Sequence, residues 1–277
     1  MIYIFLPSSP IDCWYLSDRE KFVCLHRVRE NNTGIEDKKI KWYQVRECLR
    51  DPKTWLLSIF AIAQNIPNSG IITFAAIIVK DMGYSPLKTV VIGIPTGIIA
   101  TAWQIFLSIV QSYFMNTRCA FIAVADTVTL AAAILLWKLP RSDKSALLGA
   151  YYLFYTYWAP YVLSTSLPMA NISGHSKKLT MNAVFFLSYC VGCILGPQTF
   201  RASDAPRYSR GFEGQMVCFV MAIVSISAYG VLCHLENKRR DRRDASENIE
   251  RGTEAELADA AFSDLTDREK KSFRYTY

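Results

Sequence analysis

Acidic side chains are all but missing from the apolar middle of this 277-residue chain. Six runs there are each long enough to cross a bilayer, and Asp126 is the one acidic residue deep inside any of them. A hydrocarbon core takes about 20 apolar residues of helix to cross, and a soluble core rarely repeats such runs at short intervals. Catalytic signatures are lacking as well. With no HExxH pair, no Gly-rich phosphate loop and no Ser/His/Asp arrangement, an enzyme is not expected. The three histidines, His26, His175 and His234, lie at run edges or beyond them, so none is placed for a mid-membrane relay or as a metal ligand. No cofactor or metal is expected. The eight cysteines form no disulfide framework. Cys190-Val-Gly-Cys193 has redox or zinc spacing, but it lies inside an apolar run with no second pair, where small residues pack helix interfaces. A basic n-region is also absent, and Met1–Leu6 is too short for a secretory core, so it reads as the end of a longer apolar segment.

What is present is an all-α membrane protein of six transmembrane helices, expected over residues 55–79, 87–110, 119–139, 147–167, 179–200 and 215–235. Residues 1–54 then form a cytoplasmic linker with a short helix, 55–235 a six-helix bundle, and 236–277 a largely disordered tail with a short helix capped by Thr266. Ser17-Asp-Arg-Glu20 has capping-box spacing and predicts the linker helix over 18–30. The net charge of +7 gathers beside the spans: Lys38, Lys39, Lys41, Arg46, Arg50 and Lys53 precede the first, and a second basic group from Lys238 to Arg243 follows the last. An even number of crossings puts both flanks on one side, and this bias makes that side, with both termini, cytoplasmic. Basic residues placed where topology wants them leave no case for nucleic acid as a partner; the partner is the lipid bilayer, with the plasma membrane as the expected site. The sequons at Asn31 and Asn171 fall on the cytoplasmic side and are expected to be unmodified.

Polar side chains inside a bilayer are costly and carry a functional expectation. The first run holds Gln64, Asn65, Pro67, Asn68, Ser69 and Gly70; Gln64 and Asn68 share a helix face, and Pro67 removes a backbone hydrogen bond. A broken, amide-lined helix suits a solute path, because amides and freed carbonyls replace a solute's water shell; packing by interhelical hydrogen bonds is the other reading. Gly93-Ile-Pro-Thr-Gly97 has the spacing that lets two helices approach closely. Asp126 is either a proton or cation site or an interfacial partner of Arg118. In the fourth run, Tyr157 and Trp158 beside Pro160 offer aromatic faces to an amphipathic solute, or pack a core. The fifth run adds Asn182, Ser188, Tyr189 and Gln198, with Gly192 and Gly196 four apart. The sixth is the least polar and is expected at the periphery.

Several stretches carry a resemblance. Tyr157-Trp-Ala-Pro-Tyr161, Asn171-Ile-Ser-Gly-His-Ser-Lys-Lys178, Asn182-Ala-Val-Phe-Phe186, Gly196-Pro-Gln-Thr-Phe200 and Asp204-Ala-Pro206 resemble the allantoate permease-like branch of the major facilitator superfamily, fungal anion:cation symporters. Asp51-Pro-Lys-Thr-Trp55, Gln64-Asn-Ile-Pro-Asn68 and Leu265-Thr-Asp-Arg-Glu269 agree in order, and residues 6–34 are similar to that family's central cytoplasmic linker. The resemblance implies twelve spans in two six-helix halves with the substrate between them. This chain matches only the linker, the second half and the tail, and Asp126 stands where an uncharged residue is expected. It further implies proton symport of a small organic anion (allantoate, ureide or carboxylate) by alternating access. In that reading Gln64, Asn65, Asn68, Tyr157, Trp158 and Asn182 contact the substrate and Asp126 is the ion-coupling group. A missing N-terminal half or a second copy is then the required partner. The alternative expectation is a truncated, non-transporting remnant or an incomplete gene model of such a permease.

Overall fold

The computed structural model describes residues 13–21, 23, 40–81, 85–114, 116–140, 143–200, 209–246 and 264–277, with backbone alone for 71–81 and 86. The apolar start, the Asn31 sequon, most of the helix expected over 18–30 and Asp204-Ala-Pro206 lie outside the described residues. The capping box that opens the linker helix is formed: Ser17 N–H donates to Glu20 at 2.9 Å, and Glu20 N–H to Ser17 Oγ at 3.4 Å.

Among the described residues the secondary structure is all helix and turn. The helices are α1 (Trp42–Arg50), α2 (Pro52–Asp81), α3 (Pro86–Ser112), α4 (Arg118–Lys138), α5 (Lys144–Phe154), α6 (Trp158–Ser164), α7 (Ser166–Asn171), α8 (His175–Leu195) and α9 (Ser209–Ser246). Local chemistry sets their starts. Ser85 caps α3 ahead of Pro86, Asp143 accepts from Ala146 N–H to cap α5, and Gly174, at φ 91°, turns the chain into α8. Among the described residues, four helical stretches are long and apolar enough to cross a membrane: Leu87–Ser112, Arg118–Lys138, His175–Thr199 and Ser209–Ser246. The run at 55–79 falls on the 30-residue α2. The run at 147–167 is divided into α5, a 3-10 turn Tyr155–Tyr157, α6 and α7.

The interruption therefore falls elsewhere than expected. α2 passes Pro67 without a break, and side chains bond within that stretch: Asn65 donates to Ala61 O at 2.7 Å and Asn68 to Asn65 Oδ1 at 3.0 Å. The fourth run breaks where Pro160 and Pro168 withdraw two N–H donors within eight residues. There the hydroxyls of Thr156, Ser164, Thr165 and Ser166 each turn back to the carbonyl three residues earlier, at 2.6–2.7 Å.

α2 packs against both α8 and α9, and α9 also lies along α4. A Cβ on Gly192 would stand 2.8 Å from Ile62 O, and one on Gly196 2.6 Å from Ile66 O, so this glycine pair seats α8 on α2. Gly93 and Gly97 have the same spacing, yet a Cβ on either meets nothing within 4 Å; the close approach expected there is not made among the described residues. Instead α3 turns an exposed apolar row outward, with Leu87, Val91, Ile94, Ile98, Ile105 and Ile109 recurring at helical spacing. The sixth run is not peripheral either. Phe219, Ala222, Ile226, Tyr229 and Cys233 of α9 are buried in the two apolar cores.

The tail departs most from expectation. α9 continues to Ser246, and residues 264–277 form a strap packed across one end of the bundle. Composition argued for disorder because charged residues prevail there, but each key charge has a partner in the bundle. Phe273 and Tyr275 are buried, which contributes about 1.5–3 kcal/mol apiece. Thr266 and Glu269 do form a reciprocal capping box, at 2.8 and 3.3 Å, but it closes a turn rather than a helix. The strap touches the first turn of α2, the starts of α4 and α8, and α9 beyond Cys233. Those four places therefore sit at one end of the bundle.

Candidate functional site

Inside the bundle, residues far apart in sequence meet around Tyr157. Gln64 of α2 donates through Nε2 to the Tyr157 carbonyl at 2.9 Å, 93 positions away. The Tyr157 hydroxyl donates to Asn68 Oδ1 at 2.9 Å, which links onward to Asn65. All four are fully buried, Gln64 and Asn65 at 1 % exposure, so as placed they form an internal network rather than the wall of an open cavity. Trp158 stacks on Tyr157, with ring centroids 5.5 Å apart, and is half-buried. Asn182 is not part of this group. It lies ten residues before Gly192, the point of contact with Asn65, which is about 15 Å along α8.

Asp126 is buried in α4 and packs inside the bundle. Its expected interfacial pairing with Arg118 is not made, for the Arg118 guanidinium turns to Ser166 Oγ at 3.4 Å. Gln64 is the polar side chain facing it. Among the described residues, both Asp126 carboxyl oxygens and Gln64 Oε1 are without a hydrogen bond of ordinary geometry. A buried polar group in that state costs on the order of 1–3 kcal/mol, so its retention calls for a reason. Gln215, near the start of α9, shares this condition: both amide atoms are buried and unbonded, with Nε2 facing Gly70. Gln215 was not singled out from the sequence. The rule that selects Gln64, an amide within an apolar run, selects Gln215 equally.

A second polar cluster lies at the strap end. Lys177, at 1 % exposure, pairs with Asp267 at 2.6 Å and Glu47 at 2.8 Å, with Asp51 at 3.7 Å. Burial alone raises the Asp267 carboxyl, but the ammonium groups of Lys177 and Lys53 outweigh it and hold the group below its ordinary value. Tyr275 donates to Asp267 at 2.6 Å, and Lys53 sits 3.4 Å above the Tyr275 ring. Arg240 reaches three strap carbonyls, those of Asp267, Lys270 and Phe273, at 2.9–3.2 Å. Two asparagines engage the strap backbone as a strand partner would. Asn237 both donates to and accepts from Tyr275, and Asn171 does the same with Thr276, at 2.7–2.9 Å. Asn171, one of the two sequon residues, is thus buried and fully engaged.

Similarity to known proteins fits a helical membrane chain of this kind. The MFS-type transporter cnsL of Penicillium expansum is 40 % identical over 276 residues, covering 100 % of this chain and 56 % of that protein. Over its whole length the chain is thus similar to about half of an MFS-type transporter. The allantoate permease of Saccharomyces cerevisiae is 36 % identical over 284 residues, covering 100 % of the chain and 51 % of the permease. A thiamine pathway transporter of the same yeast is 30 % identical over 282 residues, again covering 51 % of its own length. These relatives are transporters, not enzymes, and the chain spans about half their length. No family model matches the chain. No solved structure matches it.

Proposed function

We propose that the chain is the C-terminal half of a twelve-span carrier that moves a small organic anion across the plasma membrane by proton symport and alternating access. The observation that carries this is the full-length similarity to about half of each of several transporters, one of them an allantoate permease. Six crossings are supported by the strap. It joins the starts of α2, α4 and α8 to the far part of α9 at one end, as three up-and-down pairs require. The basic flanks support the cytoplasm as that side.

In this reading the Gln64–Tyr157–Asn68–Asn65 network holds the bundle in one arrangement. Opening it frees amides and a hydroxyl to receive an anion, with Trp158 at its edge. Asp126 is the coupling group, since a carboxyl faced by an amide and lacking hydrogen bonds can take and release a proton as its surroundings rearrange. Asn182 stands apart from that group and is the weakest member of the expected set.

The test is uptake of labelled allantoate into acid-outside vesicles holding either the chain alone or the chain joined to the first half of the yeast allantoate permease. Uptake by the joined protein and none by the chain alone is expected. Absence of uptake from both, with well-folded protein, would sink the substrate class. Equal uptake from both would sink the half-carrier reading.

A further inference from the structure

A cavity of about 660 Å³ opens between the strap, the first turn of α2 and the stretch of α9 beyond the apolar run. Its lining is strongly one-signed: seven Lys and Arg side chains against the carboxylates of Asp51 and Glu236. Those carboxylates already have partners. Asp51 lies within 3.4–3.8 Å of Arg268, Lys177 and Lys53, and Glu236 lies 3.5 Å from Arg240. Arg240 is bonded to strap carbonyls and Arg243 pairs with Asp244 at 3.4 Å, and the lining as a whole keeps an excess of positive charge. Arg239 and Lys271 are exposed at its rim, and Lys270 is buried in its wall. Burial pulls the Lys270 ammonium below its ordinary value despite Asp264 and Asp267 nearby. The buried Arg243 Nε has no hydrogen-bond partner among the described residues. A cavity of this volume is the size of a small-ligand site, and its donors are those that bind phosphate oxygens.

We infer that this cavity binds a compact anion carrying two or more phosphates, of the inositol polyphosphate type, either free or as the headgroup of a membrane lipid. Both sources are sterically open to it. Arg239 and Arg243 follow Leu235, the last residue of the apolar run, by four and eight positions. That is about 6–12 Å along the helix, the depth at which phosphate headgroups lie beyond the hydrocarbon. Leu232, within the apolar run, also lines the cavity. Because the strap supplies Arg268, Lys270 and Lys271 while α2 and α9 supply the other cations, a bound anion bridges them and ties the strap down. The site is at the strap end, separate from the amide network, and does not depend on the transport reading.

The experiment uses the full chain, purified in detergent for one arm and in lipid nanodiscs for the other, at physiological ionic strength. The soluble probe is inositol 1,4,5-trisphosphate; the lipid arm compares phosphatidylcholine discs with and without phosphatidylinositol 4,5-bisphosphate, read as resistance of the strap to protease. Arg239→Gln combined with Lys271→Gln removes two exposed rim cations, so the fold is kept, as helical circular dichroism checks. Loss of two charged contacts is expected to weaken binding about tenfold or more. Arg242→Gln, exposed on the same helix but outside the lining, should leave binding unchanged. Binding of the soluble probe that the double variant weakens supports a free polyphosphate as ligand. Protection seen only with the bisphosphate lipid, and lost in the double variant, supports a headgroup. Absence of binding in both arms, or binding that the double variant does not alter, overturns the inference.

Discussion

The two polar clusters of this chain are constructed in opposite ways. At the strap end, the two buried cations Lys177 and Arg240 are matched: Lys177 lies against two carboxylates within 2.8 Å, and Arg240 has three carbonyls and a hydroxyl. In the middle of the bundle the groups are mostly neutral, yet Gln64, Asp126 and Gln215 keep buried atoms without hydrogen bonds. Matched burial fixes a single arrangement, since removing one member strands the others. Unmatched burial leaves a reason to rearrange, because a proton, a solute or a shifted helix can satisfy what is open. The first pattern is that of an anchor and the second that of a moving part.

Breaking the anchor should have the largest effect. Lys177→Met takes the nearest cation from buried Asp267 and from half-buried Glu47, leaving only Lys53 and Arg268 at 3.9 Å, and should cost about 3 kcal/mol, loosening the strap. Hydrogen exchange at 264–277 reports this directly. Acid should do the same by another route. Since the folded Asp267 carboxyl is held below its ordinary value, its contribution is present above that value and vanishes only as pH falls through the lowered one. The strap should stay docked at a pH of about 5 and loosen below about 3.9, the unperturbed aspartate value.

Next in size are substitutions at the α2–α8 crossing. Gly196→Val sets new atoms against the α2 backbone and should cost about 1–3 kcal/mol, seen as a lower melting temperature in detergent. Tyr157→Phe removes one hydrogen bond to Asn68 from the central network. A stability loss of about 1 kcal/mol is expected, with a larger change in transport than in melting temperature if this cluster moves. Smallest of all is Gly93→Ala. Open space surrounds that position, so the helix should gain up to about 1 kcal/mol from propensity alone. A marked destabilisation there would mean that a second helix packs on α3.

Much of this arrangement was legible in the apolar runs. They predicted helices, and the amide rule brought out Gln64, Asn65 and Asn68, which the structure joins to Tyr157 from 89 and more residues away. Single runs could not tell which glycine pair meets a neighbour, because Gly93/Gly97 and Gly192/Gly196 differ only in what lies opposite. The strap was missed for a related reason. Composition counts charges, whereas docking depends on partners: Asp267 is held by Lys177 and Lys53, and Arg240, itself in the tail, by a backbone 27–33 residues further on. Pro67 does not break α2, and the amides of Asn65 and Asn68 bond within the same stretch rather than to a solute. Gln215 was passed over because its run was judged by overall hydropathy, though one buried amide matters more than the mean.

The contrast between anchor and moving part rests most directly on Asp126. The decisive measurement is allantoate uptake, with and without an acid-outside gradient, by the joined two-half carrier and its Asp126→Asn variant at matched folded amounts. Stimulation by the gradient in the parent, lost in the variant while its melting temperature holds or rises, is the predicted result. Equal gradient stimulation in both would contradict it and leave Asp126 as a packed residue with no part in coupling.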